Sequence, residues 1–425
     1  MITTAAIKGA NDKVVLGLIG AGGRGTSLIL DFYKHCDNVQ VKYICDVDAS
    51  RGGRAKKELA AKQGFEPLSV EDMREVYDDR DVDAVVIATP EHWHALAMIR
   101  ACQAGKHAFV EKVVSMNVQE GQKMIEATQK YGRVVQCGTQ NRSANYLFNA
   151  RDYISSGKLG TVWHVKAYCL LPGPKPWSLK PESEVPKGLN WDMWLGPASN
   201  QPYTVSRHKA PYDWWEYSPG LQMAMTAHVV DMTRMVLSDP GHPHAVYCAG
   251  GRILYDDKRD IPDMQAITFE FDHFSMTCES AVFGDYMTKS GPEIRMGEKY
   301  PDWRLCSTRV EIYGTEGVMF LEIMGGGWQV FGHEGGLVAQ EHGYFPDAAH
   351  VQDFIACIRT GKEPNAPILQ GHISSCLIHM ANLAYRTGEK KLLFDPVKEE
   401  FTNSPLANEL SKGQYRAPYT LPEVV

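Results

Sequence analysis

The chain of 425 residues lacks the features that mark several large classes of protein. Its ten cysteines include no C-x-x-C pair, and several lie inside apolar runs, which favours buried free thiols in a reducing compartment over a disulfide framework. The net charge of −7 leaves no basic excess for binding nucleic acid or an anionic membrane surface. No segment approaches the ~20 apolar residues of a membrane span. We also predict no metal site.

The N-terminal segment 1–13 has neither the charged first region nor the long apolar second region of a signal peptide. We therefore expect a cytoplasmic protein, and a periplasmic location stays open if an export signal has been removed. The sequence contains no internal repeat and no low-complexity segment. Its length predicts roughly two to three domains with ample material for a large core.

Residues 14–25, with the sequence VVLGLIGAGGRG, begin as a short apolar β run and continue through a glycine-rich turn into a helix. In a dinucleotide-binding βαβ unit the first glycine permits a tight turn, the second lets the backbone approach a pyrophosphate, and the third lets helix and strand pack closely. The N-terminus of the helix presents unpaired N–H groups to the phosphates. We assign the whole turn to cofactor binding: Gly20, Ala21, Gly22, Gly23, Arg24 and Gly25.

Asp46 ends a predicted second strand over 41–46. A dinucleotide-binding unit needs a carboxylate at this place for the adenosine ribose hydroxyls. The carboxylate favours NAD, and NADP stays possible. Arg51 follows closely, and three roles stay open for it: stacking on the adenine, meeting a 2′-phosphate, or lying exposed on a helix face.

Two further predicted strands, over 83–90 and 107–112, end in polar residues. Ligands of a doubly wound sheet lie outside the carboxyl ends of its strands, so we predict that the residues at these ends line the cofactor crevice. A surface Glu-Lys pair is usually solvated, whereas burial beside a cofactor lowers the pKa of a lysine and lets it exchange protons. His94 is alternatively a histidine that begins a helix. The residues assigned to the crevice are Thr89, Pro90, His94, Glu111 and Lys112.

Beyond about residue 140 the pattern changes to alternating strands, as in 267–272, where apolar and polar side chains take opposite faces. Such alternation predicts a largely antiparallel sheet with one open face. Two helices with apolar stripes follow, around 350–358 and 373–384. We predict an α/β fold with two domains: a Rossmann dinucleotide-binding domain over 1–139 and an α+β domain for substrate binding and oligomerisation over 140–425.

The segment 171–219 is rich in aromatic residues, proline and glycine. Exposed aromatic faces with interleaved polar groups suit a sugar ring, although a loop packed over the sheet gives the same composition. The residues in question are Trp177, Trp191, Trp194, Arg207, His208, Tyr212, Trp214, Trp215 and Tyr217.

His228 and Asp231 follow at the i, i+3 spacing of a helix that we predict from residue 228 onward. This spacing lets the carboxylate orient the imidazole, and a structural His–Asp pair is the alternative.

Taken together, these motifs resemble the glucose-fructose oxidoreductase, inositol dehydrogenase and MocA family (Gfo/Idh/MocA) along nearly the whole chain. The resemblance implies that Lys112 lies between nicotinamide and substrate and that His228 takes the hydroxyl proton. Two positions depart from the family pattern: Val113 replaces a proline, and Ala224 replaces an aspartate that binds a substrate hydroxyl. The resemblance to the family rests on the following motifs: the glycine-rich turn, ATPEHWH at 88–94, Glu111-Lys112, GTQNR at 138–142, WDMWLGP at 191–197, WEYSPG at 215–220, AHVVD at 227–231 and HVQDF at 350–354.

We therefore expect an NAD-dependent oxidoreductase that acts on a secondary alcohol of a sugar, polyol or glycoside, with Lys112 and His228 as its catalytic residues. The substrate would be held by Arg142, Trp215, Tyr217, His228 and Asp231. A redox-neutral glycoside-cleaving enzyme and a non-catalytic binding protein are the alternatives. An open sheet face must be covered, so we predict a homodimer or homotetramer formed through that sheet.

Overall fold

The computed structural model describes residues 13–172, 178–283, 286–288 and 290–425. The strands are β1 (Val14–Ile19), β2 (Val39–Cys45), β3 (Leu68–Val70), β4 (Ala84–Ile87), β5 (His107–Val110), β6 (Val135–Cys137), β7 (Val162–Pro172), β8 (Ala245–Gly251), β9 (Met264–Glu270), β10 (Ser275–Phe283), β11 (Arg309–Gly314), β12 (Gly317–Glu322), β13 (Trp328–Phe331), β14 (Leu337–Glu341), β15 (Leu392–Asp395) and β16 (Glu400–Phe401).

The α-helices are α1 (Gly23–His35), α2 (Gly53–Gln63), α3 (Met73–Asp78), α4 (His94–Gln103), α5 (Val118–Tyr131), α6 (Asn145–Ser155), α7 (Trp191–Leu195), α8 (Val205–Lys209), α9 (Leu221–Val236), α10 (Pro292–Arg295), α11 (Asp347–Thr360), α12 (Ile368–Thr387) and α13 (Pro405–Leu410). Short 3₁₀ turns span Glu91–Trp93, Gln140–Ser143 and Pro211–Asp213.

The first sheet is parallel and has the strand order β3-β2-β1-β4-β5-β6. The order reverses between β1 and β4, which creates a crevice at the carboxyl ends of these two strands. Apolar side chains fill both faces of the central strands, as in β4, where all four residues are buried. The predicted Rossmann architecture is confirmed.

The second sheet has ten strands in the order β14-β13-β12-β11-β7-β10-β9-β8-β15-β16. Its neighbouring strands are antiparallel except for β7 and β10, which run parallel. In β9 burial alternates along the strand, with Ile267 and Phe269 on the buried face. The predicted second, mostly antiparallel sheet is also confirmed.

Helix α9 covers the buried face of the second sheet and is almost entirely buried itself. The sequence predicted a helix from His228, but α9 begins seven residues earlier, at Leu221, after Gly220 with φ +104°. The apolar run after Gly220 shows no polar face because every side of this helix meets protein. Ala224 and His228 therefore lie one turn apart on the same helix.

Helix α11 comes from the C-terminal half of the chain but packs on the first sheet. Its apolar stripe joins the core of the Rossmann domain, where Phe354 lies 5.8 Å from Phe32 and 5.9 Å from Phe109 between ring centroids. Helix α12 packs on both α5 and α9. The C-terminal half thus fixes the two sheets relative to each other around the crevice.

All ten cysteines are free thiols, and eight of them are buried, which confirms the prediction from sequence. Among the described residues, no helix combines the length and the apolar character that crossing a bilayer requires.

Candidate active site

The glycine-rich turn between β1 and α1 is dense enough to require its glycines. Gly20 has φ +89°, and a Cβ there would lie 2.7 Å from the backbone of Ala88. A Cβ on Gly25 would lie 1.9 Å from the carbonyl oxygen of Gly20. A Cβ on Gly23, by contrast, would meet no atom within 4 Å. The turn therefore packs tightly on the sheet and leaves open space at the start of α1, as a phosphate-binding turn must.

Asp46 lies directly after β2 and faces the same space. Its two carboxylate oxygens accept hydrogen bonds from the backbone N–H of Ala21 at 2.7 Å and of Asp48 at 2.9 Å. Burial raises the pKa of Asp46, and these two N–H groups oppose the rise. Arg51 lies across the space, with its guanidinium 3.5 Å from the Asp48 carboxylate.

A cavity of about 340 Å³ lies over this turn. An acidic group at the end of β2, an open helix N-terminus and apolar walls fit an adenine dinucleotide. The predicted cofactor residues that line the cavity are Gly20, Gly22, Gly23, Arg24, Asp46, Arg51, Thr89 and Pro90.

A second cavity of about 420 Å³ adjoins the first, and the two share Arg24, Ala88, Thr89, Glu91 and Tyr212 as wall residues. Its floor comes from the first sheet and its roof from the second half of the chain. The predicted site residues His94, Glu111, Lys112 and His228 all line it. The structure thus brings the two predicted catalytic residues together in one cavity.

Lys112 follows β5 and its Nζ donates a hydrogen bond to the carbonyl oxygen of Ala224 at 3.0 Å. Burial lowers the pKa of Lys112, while the charges of Glu91 and Glu111 oppose the shift. His228 is one turn further along α9, so the lysine contacts the same helical face that carries the imidazole. Ala224 stands where the family pattern has an aspartate, and its carbonyl oxygen accepts the hydrogen bond from Lys112.

Glu111 and His94 line the same cavity as Lys112. Glu111 accepts a hydrogen bond from Arg24 Nε at 2.7 Å. His94 contacts the carbonyl oxygens of Val113 at 2.8 Å and Thr89 at 2.9 Å. His94 is buried and is also the first residue of α4, so it both begins a helix and lines the cavity. The Val113 side chain packs into the core of the second domain.

Glu91 is a cavity residue that the sequence analysis missed. It is 2% exposed, lines both cavities, and its Oε1 has no hydrogen-bond partner among the described residues. Burial raises its pKa to about 7, and the charge of Lys112 opposes the rise. Its place directly after Thr89-Pro90 at a strand end was the signal that could have identified it.

Other cavity residues also escaped prediction. Gln140 and Asn141 precede Arg142 in the GTQNR motif, and both have a buried amide oxygen without a partner among the described residues. Of the described residues in the predicted aromatic segment, Tyr212 alone lines this second cavity. Met225, Arg295, Ile323, Met324, Phe345 and Asp347 complete the wall.

Arg142 and Asp231 do not reach the cavity, and their assignment to substrate binding needs correction. Arg142 Nε donates to both oxygens of Asp231 at 2.9 Å, and its terminal nitrogens pair with Asp239. Asp231 also accepts a hydrogen bond from Ser374 Oγ at 2.7 Å. The Asp231 carboxylate therefore pairs with Arg142 and Ser374 in the core, and these contacts do not orient the imidazole of His228.

Trp215 and Tyr217 also lie away from the cavity. Tyr217 is fully buried in an aromatic cluster with Trp191, Trp194 and Trp214, so loop packing explains most of this segment. The ring of Trp215 lies under the guanidinium of Arg386 at 5.2 Å. Trp177 is outside the described residues. The aromatic side chains of this segment do form one cluster, but their ring faces pack against each other and not against a cavity.

The fold and the crevice define an oxidoreductase with an NAD-binding Rossmann domain. A model of the oxidoreductase family's NAD-binding Rossmann fold matches residues 14–139, and a model of its C-terminal alpha/beta domain matches residues 176–272 and 330–421. The chain belongs to the Gfo/Idh/MocA oxidoreductase family.

Three individual proteins illustrate the similarity. The uncharacterized oxidoreductase YrbE of Bacillus subtilis is 25% identical over 311 residues, or 72% of each chain. A glycosyl hydrolase family 109 protein of Shewanella sp. is 31% identical over 163 residues, and this match spans 37% of the chain and only 35% of that relative. The crystal structure of the WlbA dehydrogenase from Bordetella pertussis with NADH and UDP-GlcNAcA aligns with a TM-score of 0.64 at 18% identity, covering 90% of this chain and 99% of that one. At 18% identity, the similarity to the WlbA dehydrogenase supports the fold alone.

Proposed function

We propose that this protein transfers hydride between a secondary alcohol of a sugar, polyol or glycoside and nicotinamide. The observation that carries the proposal is the contact between Lys112 and the α9 turn that leads to His228, in a cavity adjoining the dinucleotide cavity. Lys112 and His228 both line the second cavity, next to the wall residues that it shares with the dinucleotide cavity.

The bound nicotinamide supplies the hydride chemistry. His228 removes the proton of the substrate hydroxyl, and the Lys112 ammonium polarises the same oxygen and stabilises negative charge on it. The lowered pKa of Lys112 suits this role, because an ammonium group whose pKa is closer to neutral pH exchanges its proton more readily.

Asp46 supports NAD as the cofactor over NADP. Its carboxylate lines the cavity at the end of β2, where it can accept hydrogen bonds from ribose hydroxyls and repel a 2′-phosphate. Arg51 lines the same cavity, which keeps NADP as the alternative.

The polar lining of the second cavity supports a polyhydroxylated substrate. Thr89 Oγ1, Gln140 Oε1 and Asn141 Oδ1 are buried acceptors without partners among the described residues, and hydroxyl groups of a sugar can pair with them. Tyr212 and Phe345 add aromatic faces against which the C–H face of a ring can pack.

Redox-neutral glycoside cleavage is the second candidate. It is favoured by the partial match to a glycosyl hydrolase family 109 protein and by Glu91, whose pKa of about 7 lets a carboxylic acid donate a proton to a leaving group near neutral pH. Lys112 argues for the dehydrogenase, because the family resemblance implies that glycoside-cleaving members tend to lack this lysine.

A panel of sugars, polyols and glycosides tests both candidates together. The purified protein is incubated with NAD, and reduced nicotinamide is followed by absorbance while products are separated by chromatography. Stoichiometric reduced nicotinamide with a keto product supports the dehydrogenase. Released aglycone without net reduction supports cleavage instead, and cofactor binding without turnover of any compound supports a non-catalytic protein.

We further propose that the protein forms a dimer or tetramer through the open face of the second sheet. This face carries partly exposed side chains of β7 and β11, with the Arg309 guanidinium 3.8 Å above the Tyr168 ring and Lys166 Nζ 5.1 Å from the Tyr313 ring. Trp163 beside them is 56% exposed. Light scattering should give a mass of two or four chains, and a clean monomer would refute this assembly.

A further inference from the structure

A cluster of metal-ligand side chains lies in the core of the second half of the chain, away from the cavities. His242 follows α9, whereas His372 and Cys376 lie one turn apart on α12. One ligand atom from each of these three residues lies within 4.8 Å of the others. Glu399, between β15 and β16, adjoins this group, with one carboxylate oxygen 2.8 Å from His242 Nε2 and the other 2.9 Å from His372 Nε2.

The ligand types of the cluster suit a tetrahedral ion, and two of the side chains must move to bind one. Cys376 Sγ lies 3.6 Å from both ring nitrogens of His372, Nδ1 and Nε2, so the sulfur is not yet directed toward an ion on Nε2. A tetrahedral zinc with ~2.0–2.1 Å bonds to nitrogen and ~2.3 Å to sulfur has a nitrogen–sulfur edge of about 3.5 Å. The nitrogen–oxygen distances are those of hydrogen bonds to Glu399, so its carboxylate occupies the space that an ion would take. Binding needs an outward shift of this carboxylate by about 1 Å or more and a turn of the Cys376 side chain toward Nε2.

The surroundings hold the ligands in place. A Cβ on Gly121 of α5 would lie 1.9 Å from His372 Nδ1, so the glycine makes room for the imidazole. The His242 ring packs against Phe394 at 5.4 Å. Gln122 Nε2 donates a hydrogen bond to Glu399 Oε2 at 2.9 Å, which is the kind of outer contact that orients a ligating carboxylate.

Exposure in the cluster increases from α12 outward. The His372 side chain is fully buried, whereas that of His242 is 5% and that of Glu399 16% exposed. The carboxylate therefore lies on the solvent side, where an ion can enter. Glu399 also adopts a left-handed backbone conformation with φ +54°, which is uncommon for a residue with a side chain.

We propose that His242, His372, Cys376 and Glu399 form a structural zinc site. Two imidazoles, a thiolate and a carboxylate are four ligands of the types that zinc prefers. The two anionic ligands neutralise the ion, which removes repulsion from the nearby Arg234. Such an ion would join α12 to the segment after α9 and to the β15–β16 turn. The sequence predicted no metal site because these ligands come from three distant segments.

Metal content of the full-length protein tests the proposal. Protein expressed with zinc in the medium should retain about one zinc per chain after dialysis, and the Cys376→Ala and His242→Ala variants should lose it. Cys248→Ala and His244→Ala are matched controls that should keep it, because neither residue belongs to the cluster. Zinc absent from the wild type, or equally present in all variants, would overturn the proposal.

Cobalt spectroscopy provides a readout that does not depend on the folding of a variant. Co²⁺ added to the metal-free wild type should give intense visible bands of a tetrahedral site and a near-ultraviolet thiolate charge-transfer band, and Cys376→Ala should lack that charge-transfer band. Addition of zinc should abolish both signals. A wild type with neither signal would contradict a site that includes Cys376.

Discussion

Helix α9 borders two groups of ionisable side chains that differ in how their polar atoms are used. One turn of the helix, from Ala224 to His228, faces the cavity with Lys112 and Glu91. The next turn carries Asp231, which is bound by Arg142 and Ser374 within the core. Both groups are shielded from water, but the first leaves the Glu91 Oε1 atom without a partner among the described residues.

The difference teaches how burial should be interpreted in this family of folds. A buried charge whose partners are all protein groups stabilises one packing arrangement, and its removal is felt in folding. A buried polar atom without a protein partner is a candidate to meet substrate or cofactor. The sequence spacing placed His228 and Asp231 on one helical face. The structure assigns them different surroundings, because His228 lines the cavity and Asp231 pairs with Arg142 and Ser374 in the core.

Replacement of His228 should give the largest effect on catalysis. His228→Gln should lower kcat by about 10²–10⁴-fold, the range of a general acid or base, while the free energy of unfolding changes little. Steady-state kinetics on the substrate found in the panel measures the loss. His164→Gln, on the second sheet outside the cavity, is the matched control, and equal rates for both variants would remove the distinction between the two turns.

Replacement of Arg142 should act on folding instead. Arg142→Met leaves Asp231 buried without its cation and should lower the free energy of unfolding by about 3–5 kcal/mol. Urea denaturation measures this loss, and adding Asp231→Leu should recover part of it. A variant of normal stability that no longer binds substrate would restore Arg142 to the substrate site.

Glu91 should make stability depend on pH. Its pKa of about 7 in the folded protein exceeds the ordinary value of 4.5 for a glutamic acid, so ionisation of Glu91 destabilises the folded state as the pH rises between these two values. Glu91→Gln should therefore gain up to about 3 kcal/mol relative to the wild type between pH 5 and pH 8. Urea denaturation at both pH values checks this, with exposed Glu126→Gln as control, and a difference that is constant with pH would contradict it.

Asp46 should give a smaller effect, confined to cofactor choice. Asp46→Ser removes the charge but keeps a hydrogen-bond acceptor, and should weaken NAD binding by about tenfold to a hundredfold while improving binding of NADP. Fluorescence titration with both reduced cofactors measures the two affinities. Asp48→Asn, next to the cavity, is the control, and an unchanged preference in Asp46→Ser would show that Arg51 determines it.

Much of the fold was predictable because its signals are local. The glycine spacing and the apolar strands coincide closely with the structure. The helix over 118–131 begins at a local signal as well, because Asn117 caps it by accepting a hydrogen bond from the Glu120 N–H. The hairpin at Gly314–Gly317 was also predictable from its turn. The start of α9 was not, because a helix buried on every side has no amphipathic period to detect.

The site was predictable only in part, for a related reason. Lys112, His228 and Asp46 lie at strand ends or in a motif, where position alone indicates the crevice. Glu91 also follows a strand end and could have been identified in the same way, whereas the place of Tyr212 depends on how the second half folds over the first sheet. Arg142 and Tyr217 carry the right chemistry for a substrate, but their partners are contributed by distant segments and satisfy them within the core.

The most direct test of the account compares two partly or fully buried lysines of the Rossmann domain. Lys112 faces the cavity, whereas Lys106 donates hydrogen bonds to the carbonyl oxygens of Asp79 and Val82. The rate of nicotinamide reduction per folded protein should fall by about 10²-fold or more in Lys112→Met, with the affinity for NADH retained. Lys106→Met should be less stable but equally fast once folded. A Lys112→Met variant that reduces the cofactor at the rate of the wild type would contradict the account.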